Sequence, residues 1–206
     1  MKNTVFDAPV INVILRWFSL AYFKVFGWKY EGTVPEHKKY VVIAAPHTSN
    51  WDFPITMFIA FIFRVKVYWM GKETIFKRPF GTIMRWLGGI PIDRSKSNNV
   101  VDQIVDLFNR NEKMVIIIPP EGTREKVNYW KTGFYHIANG ANVPIVMSFV
   151  DYARKAGGIG PTIIPNGDIE MDMYKIHSFF ATITAKYPEK SSLAAIHPDR
   201  FRKTGS

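Results

Sequence analysis

Short apolar runs rich in β-branched residues recur along this 206-residue chain, and polar or proline-containing blocks follow them closely. Tyr40–Ala45, Met114–Ile118 and Val143–Val150 are such runs; Pro119 closes the second and Gly140 stands before the third. Continuous apolar stretches this short read as strands buried on both faces. Val65–Met70 is also strand-like, with Val65, Val67 and Trp69 alternating against Lys66 and Tyr68. Between the strands, Phe53–Phe63 reads as an apolar helix too short to span a bilayer, and Phe80–Leu87 as a shorter one. From Ser97 to Arg110, Val100, Val101, Ile104, Val105, Leu107 and Phe108 recur at a helical period. This alternation predicts a single α/β domain with a largely parallel sheet flanked by helices. Gly157–Gly160 and Pro161–Gly167 read as turns, and Met171–Lys186 as a last helix. The polar tail after Pro188 suggests no role.

Upstream, Val10–Trp28 is almost wholly apolar, interrupted by Asn12, Arg16, Ser19 and Lys24. At about 100° per residue, Asn12, Arg16 and Ser19 fall within roughly 60° of one another. A charge at mid-span argues against a membrane-crossing helix. A narrow polar stripe beside a wide apolar face fits a helix lying in a membrane surface, or a core helix packed under the domain. Residues 1–30 are therefore read as an N-terminal amphipathic helix and 31–206 as the main domain. The net charge of +10 would attract nucleic acid, anionic lipid or a phosphorylated substrate. The 16 Phe, 9 Tyr and 6 Trp favour an interface between water and lipid. With no cysteine in the chain, disulfides, thiolate metal sites and a cysteine nucleophile are excluded. Met1–Pro9 lacks a basic n-region, so no secretory signal is expected.

Four blocks carry possible chemistry, clustered at or near strand ends, where open α/β sheets hold their sites. Pro46-His47-Thr48-Ser49-Asn50-Trp51-Asp52 comes first; Asn50 and Pro54 suit a helix start there. His47 and Asp52 would lie roughly 140° apart on a straight helix, so they meet only if the chain turns between them. An aspartate accepting from the imidazole would fix its tautomer; the same pair also occurs in capping and core roles. Gly88–Arg94, Pro119–Arg124 and Val143–Val146 follow. Each alone is ambiguous. His37, His136, His177 and His197 lack ligand spacing, so no metal is expected. Ser49 and Ser95 lie in no nucleophile elbow and read as caps or turn residues.

In this order the blocks resemble the glycerophospholipid acyltransferase family, typified by 1-acylglycerol-3-phosphate acyltransferases. The resemblance runs from about Tyr40 to Phe149 and takes in Gly71-Lys72-Glu73 and Lys131-Thr132-Gly133. The chain departs from the family at Pro46, Pro119 and Met147-Ser148, which leaves His47, Arg94 and Arg124 in place. The resemblance implies an O-acyltransferase moving a fatty acyl group from coenzyme A or acyl carrier protein to a lysophospholipid hydroxyl, most simply that of 1-acylglycerol 3-phosphate. Other acceptors are a lyso-ornithine lipid, another lysophospholipid or glycerol 3-phosphate; a non-catalytic membrane binder is the remaining alternative. His47 would be the general base and Asp52 its orienting partner. Arg94 and Arg124 would bind phosphate, with Lys72 and Lys131 as further cations and Glu121 at the acceptor. Gly122 and Thr123 would shape the same loop. The N–H groups at the start of the Asp52–Phe63 helix are expected oxyanion donors. Phe53, Met57 and Phe58, or Phe80–Leu87, would line the acyl groove. No cofactor and no nucleic acid are expected. The expected partner is an anionic membrane surface, at the cytoplasmic face of a bacterial inner membrane.

Overall fold

Alternate residues of Lys39–Ala45 and Met114–Ile118 enter two different cores. Val41, Ile43, Ala45, Met114, Ile116 and Ile118 pack on one side with Phe134, Ile137, Met173 and Ile176. Tyr40, Val42, Val115 and Ile117 pack on the other with Met57, Ala60 and Phe61. Burial on both faces is why these strands read as unbroken apolar runs. Each fully buried isoleucine contributes on the order of 2 kcal/mol.

The computed structural model describes residues 3–92 and 97–192. In chain order the elements are α1 (Pro9–Val25), β1 (Lys29–Glu31), β2 (Lys39–Ala45), α2 (Asp52–Phe63), β3 (Tyr68–Lys72), α3 (Gly81–Trp86), β4 (Gly89–Ile92), α4 (Ser97–Arg110), β5 (Met114–Ile118), α5 (Gly133–Gly140), β6 (Ile145–Asp151), β7 (Ala156–Ile163) and α6 (Ile169–Phe180). The sheet runs β1-β7-β6-β2-β5-β3-β4. All neighbours are parallel except β6 and β7. The expected α/β domain with a largely parallel sheet flanked by helices is therefore what the chain forms.

Several elements differ from expectation. The glycine-rich 157–163 stretch, expected as turns, is most of β7. Its glycines admit close neighbours: a Cβ on Gly158 would collide with the Glu31 carbonyl of β1, and one on Gly160 with the Phe179 ring. The last helix ends at Phe180 rather than Lys186. The strand expected at 65–70 begins at Tyr68: Arg64 caps α2 at φ 57°, and the Val65 N–H is still bonded back to the Ala60 carbonyl. Helix α1 has Pro9 in its first turn, where a missing N–H costs nothing. It packs through Leu20, Tyr22 and Phe23 against Ile55, Phe58, Ile59 and Ile62 of α2. The division drawn at residue 30 falls within β1. Among the described residues no helix is long and apolar enough to cross a membrane.

Candidate active site

Parallel pairing brings the ends of several strands to one edge. Ile43 of β2 pairs with Ile118 of β5, and Ala45 with Phe149 of β6. The residues after these strands therefore emerge side by side. After β2 a short turn leads into α2, with Pro46 joined to Ala45 by a cis peptide bond. The turn folds Asp52, the first residue of α2, back under His47, where the Asp52 Oδ2 lies 3.2 Å from the imidazole Nδ1. The same oxygen accepts from the N–H groups of Thr48 and Ser49, both at 2.8 Å. The Oδ1 oxygen accepts from the Tyr152 hydroxyl at 2.7 Å.

Asp52 is buried. Burial alone would raise its pKa, but hydrogen bonds from His47, Tyr152 and the Ser49 N–H hold it below the ordinary carboxylate value. It is a carboxylate at neutral pH, aided by its place at a helix N-terminus. An ionised Asp52 accepts from Nδ1–H, which leaves Nε2 of His47 with its lone pair. The N–H groups of Trp51, Asp52 and Ile55 go to the Ser49 Oγ, the Ser49 carbonyl and the Trp51 carbonyl. Pro54 has none. Most of the first turn of α2, expected to hold an oxyanion, is thus occupied by local bonds.

His47 and Asp52 line a cavity of about 570 Å³, within the range of small-ligand sites. Phe53 and Met57 of α2, Trp69 and Met70 of β3, Met84 of α3 and Ile117 of β5 make an apolar wall. Phe58 instead packs under α1 against Phe18 and Tyr22. Lys72, Gly122, Thr123 and Arg124 also line the cavity, and Lys72 and Arg124 are exposed. Gly122 takes a positive φ of 66°, and the Lys131 side chain lies over it: a Cβ there would stand 3.1 Å from the Lys131 Nζ. Thr123 Oγ1 accepts from the Glu125 N–H at 3.3 Å, closing the loop. Arg94 lies outside the described residues.

Glu121, expected at the acceptor, is only 3% exposed and is not on the cavity wall. Its Oε1 accepts the His47 N–H at 3.1 Å. Burial pushes its pKa up to about 7, against the N–H groups of Glu121 and His47, with the charge of Asp52 adding to the rise. No sequence motif marks Tyr152. The available signal was its position one residue past β6, at the edge where His47 emerges.

The profile of the family described as Acyltransferase matches residues 28–150. The chain is 30% identical over 146 residues to the 1-acyl-sn-glycerol-3-phosphate acyltransferase of Haemophilus influenzae, covering 66% of this chain and 59% of that protein. It is 30% identical over 132 residues to the Escherichia coli protein of that name, covering 59% and 52%. The human 1-acyl-sn-glycerol-3-phosphate acyltransferase beta is 30% identical over 142 residues, covering 65% and 50%. The crystal structure of the 1-acyl-sn-glycerophosphate (LPA) acyltransferase PlsC from Thermotoga maritima superposes with a TM-score of 0.55 at 19% identity, over 82% of this chain and 76% of that one. That likeness concerns the fold alone. The chain belongs to the acyltransferase family, and the matched segments span half to three-fifths of the curated relatives' lengths.

Proposed function

We propose that this protein transfers a fatty acyl group from an acyl thioester, of coenzyme A or acyl carrier protein, to the free hydroxyl of 1-acylglycerol 3-phosphate, giving phosphatidate. The observation that carries this reading is the His47–Asp52 contact at 3.2 Å on the wall of a large, mainly apolar cavity. Nε2 of His47 takes the proton of the acceptor hydroxyl as its oxygen attacks the thioester carbonyl. The C–S bond breaks, and the proton passes from the imidazolium to the departing thiolate. Asp52 stays ionised throughout and stabilises the imidazolium. No acyl-enzyme and no cofactor are required, because the thioester is already activated. Arg124 and Lys72 supply positive charge for the acceptor phosphate. Phe53, Met57, Trp69 and Met84 offer the acyl chain a wall of matching polarity.

The enzyme works as a peripheral membrane protein at the cytoplasmic face of a bacterial inner membrane. The exposed apolar residues of α1, among them Val10, Val13, Ile14, Trp17 and Phe18, support this reading. So does the charge of +10, since each cation near anionic lipid contributes about 1 kcal/mol.

Replacing His47 by Ala lowers turnover by at least ~100-fold, the low end for a lost general base, and leaves the protein folded. The assay incubates lysophosphatidate with labelled acyl-coenzyme A or acyl carrier protein and identifies the product by mass spectrometry. Turnover unchanged by His47→Ala, or no phosphatidate from either donor, removes the reading.

A further inference from the structure

We propose that Tyr152 is a positioning residue for acyl transfer: its hydroxyl holds Oδ1 of Asp52 so that Oδ2 stays aligned with His47. This rests on the general-base reading above and adds a residue to it.

A carboxylate needs such a restraint. The terminal torsion of Asp is broad and roughly two-fold, so both oxygens can rotate past one another at little cost. In this site the two oxygens have different duties. Oδ2 collects Nδ1 of His47 and the N–H groups of Thr48 and Ser49. Oδ1 accepts from Tyr152 at 2.7 Å, the shortest of the four contacts described.

Tyr152 is itself well fixed. Just before it, Asp151 ends β6, and its Oδ1 accepts from the N–H groups of Ala153 and Arg154, which shapes the turn. The Tyr152 N–H donates to the Thr184 carbonyl at 2.9 Å. Its ring stands edge-on to Trp28, centroids 5.3 Å apart. The cavity wall includes Val150 but not Tyr152, so the hydroxyl acts through Asp52 rather than on a substrate.

The groups around that hydroxyl are Asp52, Tyr22 and Tyr187, with the Lys186 ammonium 5.9 Å from the ring centroid. Asp52 also feels His47 and Glu121. Burial, and then the bond to Asp52 and its charge, push the phenol far above its ordinary value, so Tyr152 remains a donor wherever the enzyme works.

Tyr152→Phe deletes the hydroxyl and keeps the ring against Trp28. Two effects are expected together. Turnover falls roughly tenfold at unchanged KM for both substrates, the size of one lost hydrogen bond to a charged group. The carboxylate, having lost a donor, becomes more basic and binds the imidazolium better. The acid limb of the kcat/KM profile therefore moves upward in pH. Tyr22→Phe, which deletes a nearby hydroxyl that does not touch Asp52, serves as the control and moves neither quantity. In the Asp52→Asn background, Tyr152→Phe has at most a twofold effect, because its route to the reaction is gone.

Wild-type turnover and an unmoved acid limb in Tyr152→Phe overturn the assignment. So does a loss of activity that tracks a lowered thermal midpoint with the limb in place, since that is a packing role. Were His47→Ala to keep its turnover, the general-base reading itself would fall. Loss in His47→Ala with none in Tyr152→Phe removes Tyr152 alone.

Discussion

Glu121 and Asp52 are two buried carboxyls near one histidine, and their surroundings push them in opposite directions. Asp52 has four donors. Glu121 has the His47 N–H on one oxygen, while its buried Oε2 has no hydrogen-bond partner among the described residues. The depressed Asp52 contributes stability above its ordinary value of 3.8, lost as pH falls through the still lower folded value. The raised Glu121 has the reverse sign. Its unfolded form releases a proton near 4.5 and its folded form near 7, so folding loses on the order of 3 kcal/mol as pH rises across that window. Glu121→Gln keeps an acceptor for the His47 N–H and removes the slope. The difference in unfolding free energy between variant and wild type should move in the variant's favour by on the order of 3 kcal/mol between pH 4 and 8. Urea titrations at both ends check this, and a constant difference refutes it. The His47–Asp52 pairing was legible because five-residue spacing next to a helix start admits a turn. Glu121 was not, because nothing in Pro-Glu-Gly-Thr says that the glutamate turns inward; that follows from β2 and β5 ending in register.

At the scale of elements, α1 presents its two faces in an unexpected sense. The sequence defines a polar stripe but not which side meets the protein. Ser19 is fully buried and donates to the Leu15 carbonyl at 2.7 Å, Asn12 donates to the Phe6 carbonyl at 3.1 Å, and the Arg16 Nε reaches the Ile62 carbonyl at 3.4 Å. Ile62 lies in the last turn of α2, whose carbonyls lack helical partners and favour a cation. With the stripe satisfied inside, the apolar side is left outside: Ile14 is 59% and Trp17 64% exposed. The double variant Ile14→Glu, Trp17→Glu should then reduce recovery with anionic vesicles at least ~5-fold, since charge replaces the apolar area that inserts. Its unfolding free energy should stay within about 0.5 kcal/mol per site, as is usual for exposed positions. Sedimentation with vesicles and denaturant titration separate the two effects; undiminished recovery sinks the docking role of α1. The periodic helices α1 and α4 and the apolar strands β2 and β5 were legible for the opposite reason: one local pattern determined each. In β7 the glycines serve contacts with β1 and Phe179, which no local pattern reveals. The eight-residue α5 is too short to declare a helical period in the sequence.

Over the whole molecule, the segment after α6 returns across the site. Thr184 accepts from Tyr152, the Tyr187 N–H donates to the Thr48 Oγ1 at 3.2 Å, and the Ser192 Oγ accepts from the Val127 N–H at 2.8 Å. Lys186 stands over the Trp51 ring at 5.3 Å and the Tyr187 ring at 5.8 Å, and Lys190 pairs with Glu125 at 2.7 Å. These contacts join loops after β2, β5 and β6, which the sheet aligns but does not bind to one another. A sequence reading sees only a polar tail, because each bond is made with a partner at least 32 residues away. If the strap braces the His47–Asp52 turn, its inner and outer ends should differ in consequence. Thr48→Val removes the acceptor for Tyr187 at a site only 4% exposed. It should cost about 1 kcal/mol, speed amide exchange at Ser49 through local opening, and lower turnover several-fold through Asp52. Lys190→Ala breaks an exposed pair worth ~0–1 kcal/mol and should leave both exchange and turnover alone. Equal exchange rates at Ser49 in the two variants would mean that the strap covers the site without holding it.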